Sequence, residues 1–362
     1  MKSFAETEKV NVVLGFDCNF ACRYCTQHTS VLPNLTKSVD KETINFLQRA
    51  ADVLPRNRKK SQTLKVDFVG GEPLLYFPII CDIIERVNRE NIEWSFSTNG
   101  SLLNNEIVSY INNNNIRMFF SHDGPYTYKT RGVDVLDNLE IVKCLKEIRF
   151  LGVNSLLTAY SQNIYEVNEF FQNKFKKNIP IKLSFLKLAS LVQPDMVNYD
   201  TKAWKETCKK MSSTALSQFL THEQGWESDF YGQFITSYYS FIQGKNPIQP
   251  CSTFGNSLTI DFDGKIWICR ERKFFIGNAS SSCLNLHRET EKRLIRLYQE
   301  NKRYCIESCH WYPYCLGGCP REEVTAQQKK QCEFLSIFYA SVEWLMNEFE
   351  TTSQRRFQKT GV

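Results

Sequence analysis

Three cysteines near the N-terminus have the spacing of metal ligands. Cys18, Cys22 and Cys25 form a C-x3-C-x2-C pattern directly after the apolar stretch 11–16. Three thiolates on one short loop can ligate three irons of a cubane iron–sulfur cluster and leave the fourth iron open to a small molecule. A zinc site, with His28 as the nearest fourth ligand, is one alternative, and packing of the thiols is another.

A second group of cysteines lies in the last third of the chain. It begins with Cys251 and Cys269, which flank a stretch predicted to form a β-hairpin around an Asp263-Gly264 turn. Its other members are Cys305, Cys309, Cys315, Cys319 and Cys332. Closely spaced thiols of this kind suit iron–sulfur clusters, and a zinc ribbon is the alternative.

The composition indicates a globular protein in a reducing compartment. The 362 residues are 42% hydrophobic and 13% aromatic, which excludes disorder as the main state. Because no apolar run reaches transmembrane length and no secretory signal is present, we expect a cytoplasmic protein without a membrane partner. Disulfides are rare there, so 14 cysteines indicate metal binding. The isolated Cys81, Cys144 and Cys208 are expected to be buried packing residues.

Alternating strand-like and helix-like stretches must position these cysteines. β-rich runs predict six strands, at 11–16, 64–69, 92–97, 116–121, 153–158 and 181–188. Amphipathic periodicity predicts the helices between them, at 40–54, 79–87, 104–114, 134–150 and 164–176. Six such repeats predict an α/β fold with a parallel sheet, curled into a partial or full barrel. Functional residues in such folds lie where the strands end and the loops begin.

Three motifs lie at later strand ends. Gly70-Gly71-Glu72-Pro73 follows the second strand, and its glycines are expected to let the backbone approach a ligand closely. Ser97-Thr98-Asn99-Gly100 follows the third strand, and Ser121-His122-Asp123-Gly124-Pro125, with Arg131 shortly after it, follows the fourth. Each motif alone would be an ordinary turn. Together with the N-terminal cysteines, they resemble the signature of the radical S-adenosylmethionine (SAM) enzymes over roughly residues 11–190.

The resemblance implies a partial (β/α)6 TIM-like barrel of the radical SAM type and a set of cofactor contacts. Cys18, Cys22 and Cys25 would hold a [4Fe–4S] cluster whose open iron binds SAM, and reductive cleavage of SAM would give a 5′-deoxyadenosyl radical. The SAM contacts that it implies are Tyr24, Gly70, Gly71, Glu72, Thr98, Asn99, Ser121, Arg131 and Leu188. Among them, Glu72 would bind the amino group and Leu188 would pack against the adenine.

The C-terminal cysteines resemble the SPASM domain, an appendage of many radical SAM enzymes that carries auxiliary [4Fe–4S] clusters. The resemblance implies one auxiliary cluster on Cys305, Cys309, Cys315 and Cys332, and a second on Cys251, Cys269 and Cys319. The three-cysteine set lacks a fourth ligand, so either Cys283 completes it or one iron stays open. The block that starts at Cys305 begins C-x3-C, where the family has C-x2-C.

These motifs divide the chain into four expected regions. The radical SAM barrel would span 1–220, a linker region 221–250, and the SPASM module 251–340. The remaining residues, 341–362, would form a C-terminal helix and tail. Apolar residues at helical spacing predict the core of that helix over 332–350.

Enzymes with both domains mostly modify peptides, so the resemblance implies an oxidoreductase that acts on a peptide. The expected function is maturation of a ribosomally made precursor peptide through an oxidative crosslink, C–C or C–O rather than thioether. The expected partners are that peptide and an electron donor such as flavodoxin or ferredoxin.

Two alternatives remain. The first is an anaerobic sulfatase maturase, which forms formylglycine. Those enzymes have an Asp that can take a proton at the position of Arg270, and a guanidinium cannot act as a base at neutral pH. The second is a structural zinc-binding interaction module. A nucleic-acid partner is not expected, because the basic pairs at 56–60 and 174–177 lack an aromatic platform between them.

Overall fold

The computed structural model describes residues 7–25, 38–53, 63–186, 193–244, 257–270, 273–280, 288–319 and 326–360. Its central feature is a parallel sheet in which each strand pairs with the next along the chain. The strands are β1 (Lys9–Gly15), β2 (Leu64–Gly70), β3 (Ile92–Thr98), β4 (Arg117–Ser121), β5 (Leu151–Leu157) and β6 (Ile181–Phe185). The helices between them are α1 (Lys41–Val53), α2 (Phe77–Val87), α3 (Asn105–Asn113), α4 (Thr127–Arg131), α5 (Leu139–Glu147) and α6 (Ile164–Phe175). The α/β fold with six βα repeats is thereby confirmed.

One predicted helix is wrong in detail. The stretch 134–150 holds a short 3-10 helix, Val135–Asp137, before α5 begins at Leu139. The interruption is local, because the side chains of Asp134 and Asn138 each accept a hydrogen bond from the backbone N–H two residues later. Such bonds compete with a continuous helix and start a new one.

The predicted hairpin is present, and it extends the main sheet. β7 (Ser257–Asp261) and β8 (Lys265–Cys269) pair antiparallel around a turn in which Gly264 has φ +71°, and β9 (Lys273–Asn278) pairs with β8. β7 also pairs in parallel with β1, which makes one nine-stranded sheet. The hydroxyl of Thr43 on α1 donates to the carbonyl oxygen of Asp261 at 3.0 Å. The hairpin therefore covers what would otherwise be an open sheet edge at β1.

A second core is built from helices. Its main members are α7 (Thr201–Thr221), α8 (Trp226–Ile242) and α12 (Ala326–Thr360), and the shorter α9 (Arg288–Asn301), α10 (Arg303–Ser308) and α11 (Tyr312–Cys315) precede α12. Trp204 is fully buried, stacks on Phe334 with ring centroids 4.2 Å apart, and donates its indole N–H to the Phe334 carbonyl at 2.9 Å. Phe338 is also fully buried in this core.

The structure adds to two C-terminal expectations. Within the region expected to be a linker, 221–250, α8 packs its Phe230 and Tyr231 against Phe338, so this helix belongs to the second core. The C-terminal helix runs over Ala326–Thr360 and so includes most of the polar segment expected to be a tail. The domain boundaries themselves stay a prediction. In the part of the chain that the structure describes, no helix is both long and apolar enough to cross a membrane.

Candidate functional site

The loop that carries the first cysteines is packed against the end of β2. The N–H of Gly71 donates to the Gly15 carbonyl at 2.9 Å, and the N–H of Glu72 donates to the Asp17 carbonyl at 2.8 Å. Gly70 has φ +157°, and a Cβ there would lie 2.1 Å from the Gly15 oxygen. A Cβ at Gly71 would lie 2.1 Å from the Asp17 oxygen. The two glycines therefore allow the end of β2 to lie close to the backbone at Gly15 and Asp17. The sequence predicted a close approach of the backbone to a ligand.

Glu72 joins the motifs that follow β2 and β3. Its carboxylate is 1% exposed and accepts hydrogen bonds from the Thr98 hydroxyl at 2.6 Å, the Asn99 N–H at 2.8 Å and the Leu74 N–H at 3.0 Å. Burial raises the pKa of Glu72, and these donors and the charge of Arg131 partly offset that rise. A carboxylate has about four acceptor sites, so one remains for a further donor.

Asn99 connects the turn after β3 to the loop that carries the first cysteines. Its side-chain amide donates to the Asn19 side-chain oxygen at 2.8 Å, and Asn19 donates to the Ser101 hydroxyl at 2.8 Å. Ser101 donates back to the Asn99 side-chain oxygen. The side chains of Thr98 and Asn99 therefore hold Glu72 and the cysteine loop in place, and their contact with SAM stays a prediction.

Asp123 connects four segments around the site. Its Oδ2 accepts from the Tyr24 hydroxyl at 2.8 Å and the Thr130 hydroxyl at 2.6 Å, and its Oδ1 accepts from the Leu156 N–H at 3.0 Å. The Tyr24 hydroxyl in turn accepts from Nη1 of Arg131 at 2.6 Å. Burial alone would lower the pKa of the Arg131 guanidinium, but the nearby Tyr24 and Asp123 raise it by more, so the pKa is raised overall.

His122 packs beneath the loop that follows β4, against two phenylalanine rings of α6. Its ring stacks on Phe170 with centroids 5.5 Å apart and meets Phe171 edge-on. The Gly124 N–H donates to Nδ1 at 3.2 Å, and Nε2 lies 2.9 Å from Oδ1 of Asp134. His122 is 1% exposed and is a packing residue that fixes the loop after β4.

Arg23 fastens the cysteine loop to the segment that follows β6. Its Nη2 lies 2.8 and 2.7 Å from the two carboxylate oxygens of Asp195, and its Nη1 donates to the Lys129 carbonyl at 2.9 Å. The Tyr160 hydroxyl donates to Asp195 at 2.7 Å. No motif in the sequence predicts this contact, because Arg23 and Asp195 are far apart in the chain.

The first three thiols share one electrostatic environment. Burial raises the pKa of Cys22 to about 11, the charge of Arg131 lowers it, and Cys25 and Cys18 raise it. Burial also raises the pKa of Cys18, where Glu72 and Cys25 add to the rise and Arg131 opposes it. The structure thus brings the predicted cysteines, Glu72 and Arg131 together. Ser121 ends β4, and Leu188 lies outside the described residues.

Four C-terminal thiols form a second group. Burial raises the pKa of Cys315 to about 12, and the charges of Cys309, Cys305 and Cys332 raise it further. Burial also raises the pKa of Cys332, and the charges of Cys305 and Cys309 raise it further. The pKa of Cys305 is raised by burial and then by the charge of Cys309. Every pair among the four therefore interacts. These are the four cysteines that the family resemblance assigned to one auxiliary cluster, although Cys332 lies on α12, farther along the chain than the other three.

A cavity of about 510 Å³ opens beside this group. It lies between the C-terminal end of α8, the end of α9 and the segment that contains α10 and α11. Its lining includes Phe241, Tyr298, Ile306, Cys309, His310 and Tyr312. Cys309 therefore faces an accessible space whose walls include the rings of Phe241, Tyr298 and Tyr312.

The remaining predicted ligands are only partly described. Cys269 ends β8, and Cys319 follows Gly317 and Gly318 after α11. Cys251 and Cys283 lie outside the described residues. Arg270 is exposed at the end of β8. The ligand set of the other auxiliary cluster stays a prediction.

The donor types in both groups fit iron–sulfur clusters. Each group supplies thiols, and in each a backbone N–H donates to a sulfur, from Phe20 to Cys18 at 3.4 Å and from Gly317 to Cys315 at 3.3 Å. Such bonds favour the thiolate, which is the form that ligates iron. Within the described segments, no three His, Cys, Asp or Glu side chains are arranged around the position of a single metal ion.

The comparison with protein families gives a match in the N-terminal half of the chain. The family model for the radical SAM superfamily matches residues 12–172, from β1 to α6. The match includes the first cysteine group and all three strand-end motifs.

Two curated relatives align with most of the chain. The chain is 24% identical over 348 residues to the radical SAM cyclopropyl synthase TigE of Paramaledivibacter caminithermalis, covering 87% of this chain and 68% of that relative. It is 23% identical over 331 residues to a cysteine-type anaerobic sulfatase-maturating enzyme of Clostridium novyi, covering 85% and 86%.

Two solved structures share the fold. The structure of anSMEcpe with bound AdoMet and Cp18Cys peptide has a TM-score of 0.63 at 17% identity, covering 94% of this chain and 99% of that one. Streptococcus suis SuiB bound to S-adenosylmethionine has a TM-score of 0.60 at 15% identity, covering 89% and 77%. At these identities the likeness shows the fold alone.

Proposed function

We propose that the protein is a peptide maturase that uses SAM to install an oxidative crosslink, because residues 12–172 match the radical SAM family model. One [4Fe–4S] cluster would bind SAM, and two auxiliary clusters would lie in the C-terminal module. The substrate would be a ribosomally made precursor peptide, and a reduced flavodoxin or ferredoxin would supply the electron.

The observation that supports SAM binding is the pair of opposite charges beside the first thiols. SAM ends in an α-amino acid, which carries an ammonium and a carboxylate. Glu72 offers a carboxylate with one remaining acceptor site. Arg131 offers a guanidinium that, among the described residues, donates one hydrogen bond, from Nη1 to the Tyr24 hydroxyl. These two groups have the charges needed for the two ends of that zwitterion.

The chain's own residues would hold and orient the cofactors. Cys18, Cys22 and Cys25 would ligate the first cluster, while Asp123 and Tyr24 keep Arg131 in place. Bound there, the cluster and SAM would supply a 5′-deoxyadenosyl radical that takes a hydrogen atom from the substrate. In the C-terminal group, Cys305, Cys309, Cys315 and Cys332 would ligate an auxiliary cluster.

One relative supports the formation of a carbon–carbon bond. A cyclopropyl ring is closed by carbon–carbon bonds, and the relative that carries this activity in its name aligns with 87% of the chain. This favours C–C over thioether formation, with C–O formation as the next possibility.

Formylglycine formation is the second candidate function. It is supported by the sulfatase-maturating relative, which aligns with 85% of the chain. Arg270 argues against it, because its exposed guanidinium stands where the resemblance requires a proton-accepting carboxylate.

The test is a reaction with the peptide encoded beside the gene. Anaerobically reconstituted protein, SAM and a strong reductant should release 5′-deoxyadenosine and give a peptide lighter by a pair of hydrogen atoms per crosslink. Fragmentation should fail between the joined residues. A product with an aldehyde that reacts with hydrazide would favour formylglycine, and an unchanged peptide would refute the maturase.

Two variants control the test. A chain with Cys18→Ala, Cys22→Ala and Cys25→Ala should release no 5′-deoxyadenosine. The variant Cys81→Ala, which changes a half-buried cysteine of α2, should behave like the natural chain. If the triple variant keeps full SAM cleavage, the assignment of the first cluster is wrong.

A further inference from the structure

Lys302 is a buried cation next to the four-thiol group. It precedes α10, three residues before Cys305, and is 2% exposed. Its neighbour Arg303 is exposed, as lysine and arginine side chains usually are. The stem of Lys302 lies against Gly317, where a Cβ would be 3.3 Å from Cγ and 3.4 Å from Cδ. Lys302 is thus enclosed between the helix that begins at Arg303 and the loop that follows Cys315.

Gly317, against which the stem of Lys302 lies, donates its N–H to the sulfur of Cys315 at 3.3 Å, so Lys302 is packed against the loop that contacts this thiol. The charge of Lys302 acts on two further thiols of the group. It lowers the pKa of Cys305 and the pKa of Cys332, against the larger effect of burial, which raises both. Lys302 is the only lysine or arginine among the main contributors to the pKa of either thiol. Arg131 has the same relation to Cys18 and Cys22 in the first group. In the part of the chain that the structure describes, each group of thiols therefore has a basic side chain beside it, Arg131 at the first group and the buried Lys302 at the second.

Burying an ammonium away from water is unfavourable unless negative charge lies close to it. Four thiolates around one cluster would add negative charge beside Lys302, and the net charge of the assembly would become more negative when the cluster is reduced. In a poorly solvated interior such charges interact more strongly than in water. A fixed cation at this position therefore stabilises the reduced cluster more than the oxidised one.

We propose that Lys302 is the counter-charge of the auxiliary cluster on Cys305, Cys309, Cys315 and Cys332, and that it raises the reduction potential of that cluster. The inference rests on the proposed function, because it requires a cluster at this group. It gives Lys302 a positioning and electrostatic role that acts through the ligands, with no contact to substrate. Nothing in the sequence singles out Lys302 among its basic neighbours.

The test compares variants that separate charge from packing. Lys302→Met removes the charge and keeps an unbranched stem against Gly317, whereas Lys302→Arg keeps the charge. Arg303→Met is the matched control, because it removes a cation of the same α10 segment that water already screens. The measurement is a redox titration of the full reconstituted chain, followed by electron paramagnetic resonance, with iron content and thermal melting recorded for each variant.

The expected result is a shift to a more negative midpoint potential for one cluster signal in Lys302→Met. The signal of the SAM-binding cluster should stay where it is, and Lys302→Arg and Arg303→Met should match the natural chain. An unchanged potential in an iron-replete Lys302→Met variant would overturn the proposal. So would an equal shift in Arg303→Met, because that would be a general effect of net charge.

A further variant covers the case in which Lys302→Met does not retain the cluster. Lys302→Gln keeps a polar side chain without the charge. If Lys302→Arg restores the iron and Lys302→Gln does not, the charge is required for assembly and the proposal is supported. If Lys302→Gln restores the iron at the natural potential, the proposal is wrong. Failure of the proposed function would be recognised separately, because the natural chain would then show no auxiliary cluster signal.

Discussion

At the scale of single residues, both groups of thiols are arranged so that metal must displace protons. Burial raises the pKa of Cys22 to about 11 and that of Cys315 to about 12. A thiol whose pKa lies above its ordinary value of about 8.5 is protonated at neutral pH, and the thiolate is the ligand form. Iron binding should therefore release protons and become more favourable as the pH rises.

This leads to a prediction for the iron-free chain. With iron removed by a chelator, Cys315 should react with iodoacetamide at about pH 8.5 at least ~10-fold more slowly in the folded chain than in urea, because less thiolate is present. Peptide mass spectrometry would follow the reaction, and circular dichroism would verify that the iron-free chain stays folded. Equal rates in folded and unfolded chains would contradict the raised pKa.

At the scale of elements, the ends of β1, β2 and β3 are joined by direct contacts between the motifs. Gly71 and Glu72 pair with the backbone of the cysteine loop, and Glu72 holds the turn after β3 through Thr98 and Asn99. The motifs therefore stabilise one another before any cofactor binds. A change in one of them should displace the neighbouring ligands.

Gly71→Ala tests this connection. Its methyl group would lie 2.1 Å from the Asp17 carbonyl oxygen, so the end of β2 and the cysteine loop would have to separate. We expect loss of the SAM-binding cluster, measured as iron content and as 5′-deoxyadenosine release, with the C-terminal cluster signal retained.

Gly232→Ala is the control for that variant. Gly232 lies in α8 with nothing within 4 Å of its added Cβ, so alanine should stabilise the helix by about 0.5–1 kcal/mol. If Gly71→Ala keeps its full iron content, the close packing of β2 against the loop does not support the cluster.

At the scale of the whole molecule, α12 connects the barrel to the C-terminal cysteines. Gln331 donates to the carbonyl of Leu186 just past β6, Cys332 belongs to the second thiol group, and Phe334 fills the second core. Contact with the strand end, membership of the thiol group and packing of the second core therefore lie within one turn of a single helix. Packing of this turn should govern both stability and iron binding.

Phe334→Ala should therefore be costly in two ways. Removing a fully buried ring stacked on Trp204 should lower the free energy of unfolding by about 3–5 kcal/mol. It should also reduce the iron bound by the second group, because Cys332 lies half a turn away. Denaturant unfolding and iron analysis would measure the two effects.

Trp344→Ala on the same helix is the comparison. Its side chain is 41% exposed, so the expected loss is about 1 kcal/mol or less, with iron unchanged. A similar loss in both variants would mean that the buried turn at Phe334 has no special role.

The predictions from sequence succeeded where the information is local. The six strands and most helices follow from periodicity within short windows, and the hairpin follows from an Asp-Gly turn between alternating strands. The break at Asn138 was missed because a side-chain cap inside an amphipathic stretch leaves the apolar pattern intact. Pairing of β7 with β1 was also missed, since nothing in either strand specifies its neighbour.

The sequence by itself determined the fold class and the residues with the right chemistry, because spacing and residue type are properties of neighbouring positions. Only the tertiary structure decided how those residues meet. It placed the Tyr24 hydroxyl between Arg131 and Asp123, used Gly70 and Gly71 to pack the chain against itself, and enclosed Lys302 beside the thiols. These outcomes depend on segments far apart in the chain, whose contacts form only when the sheet and the second core assemble.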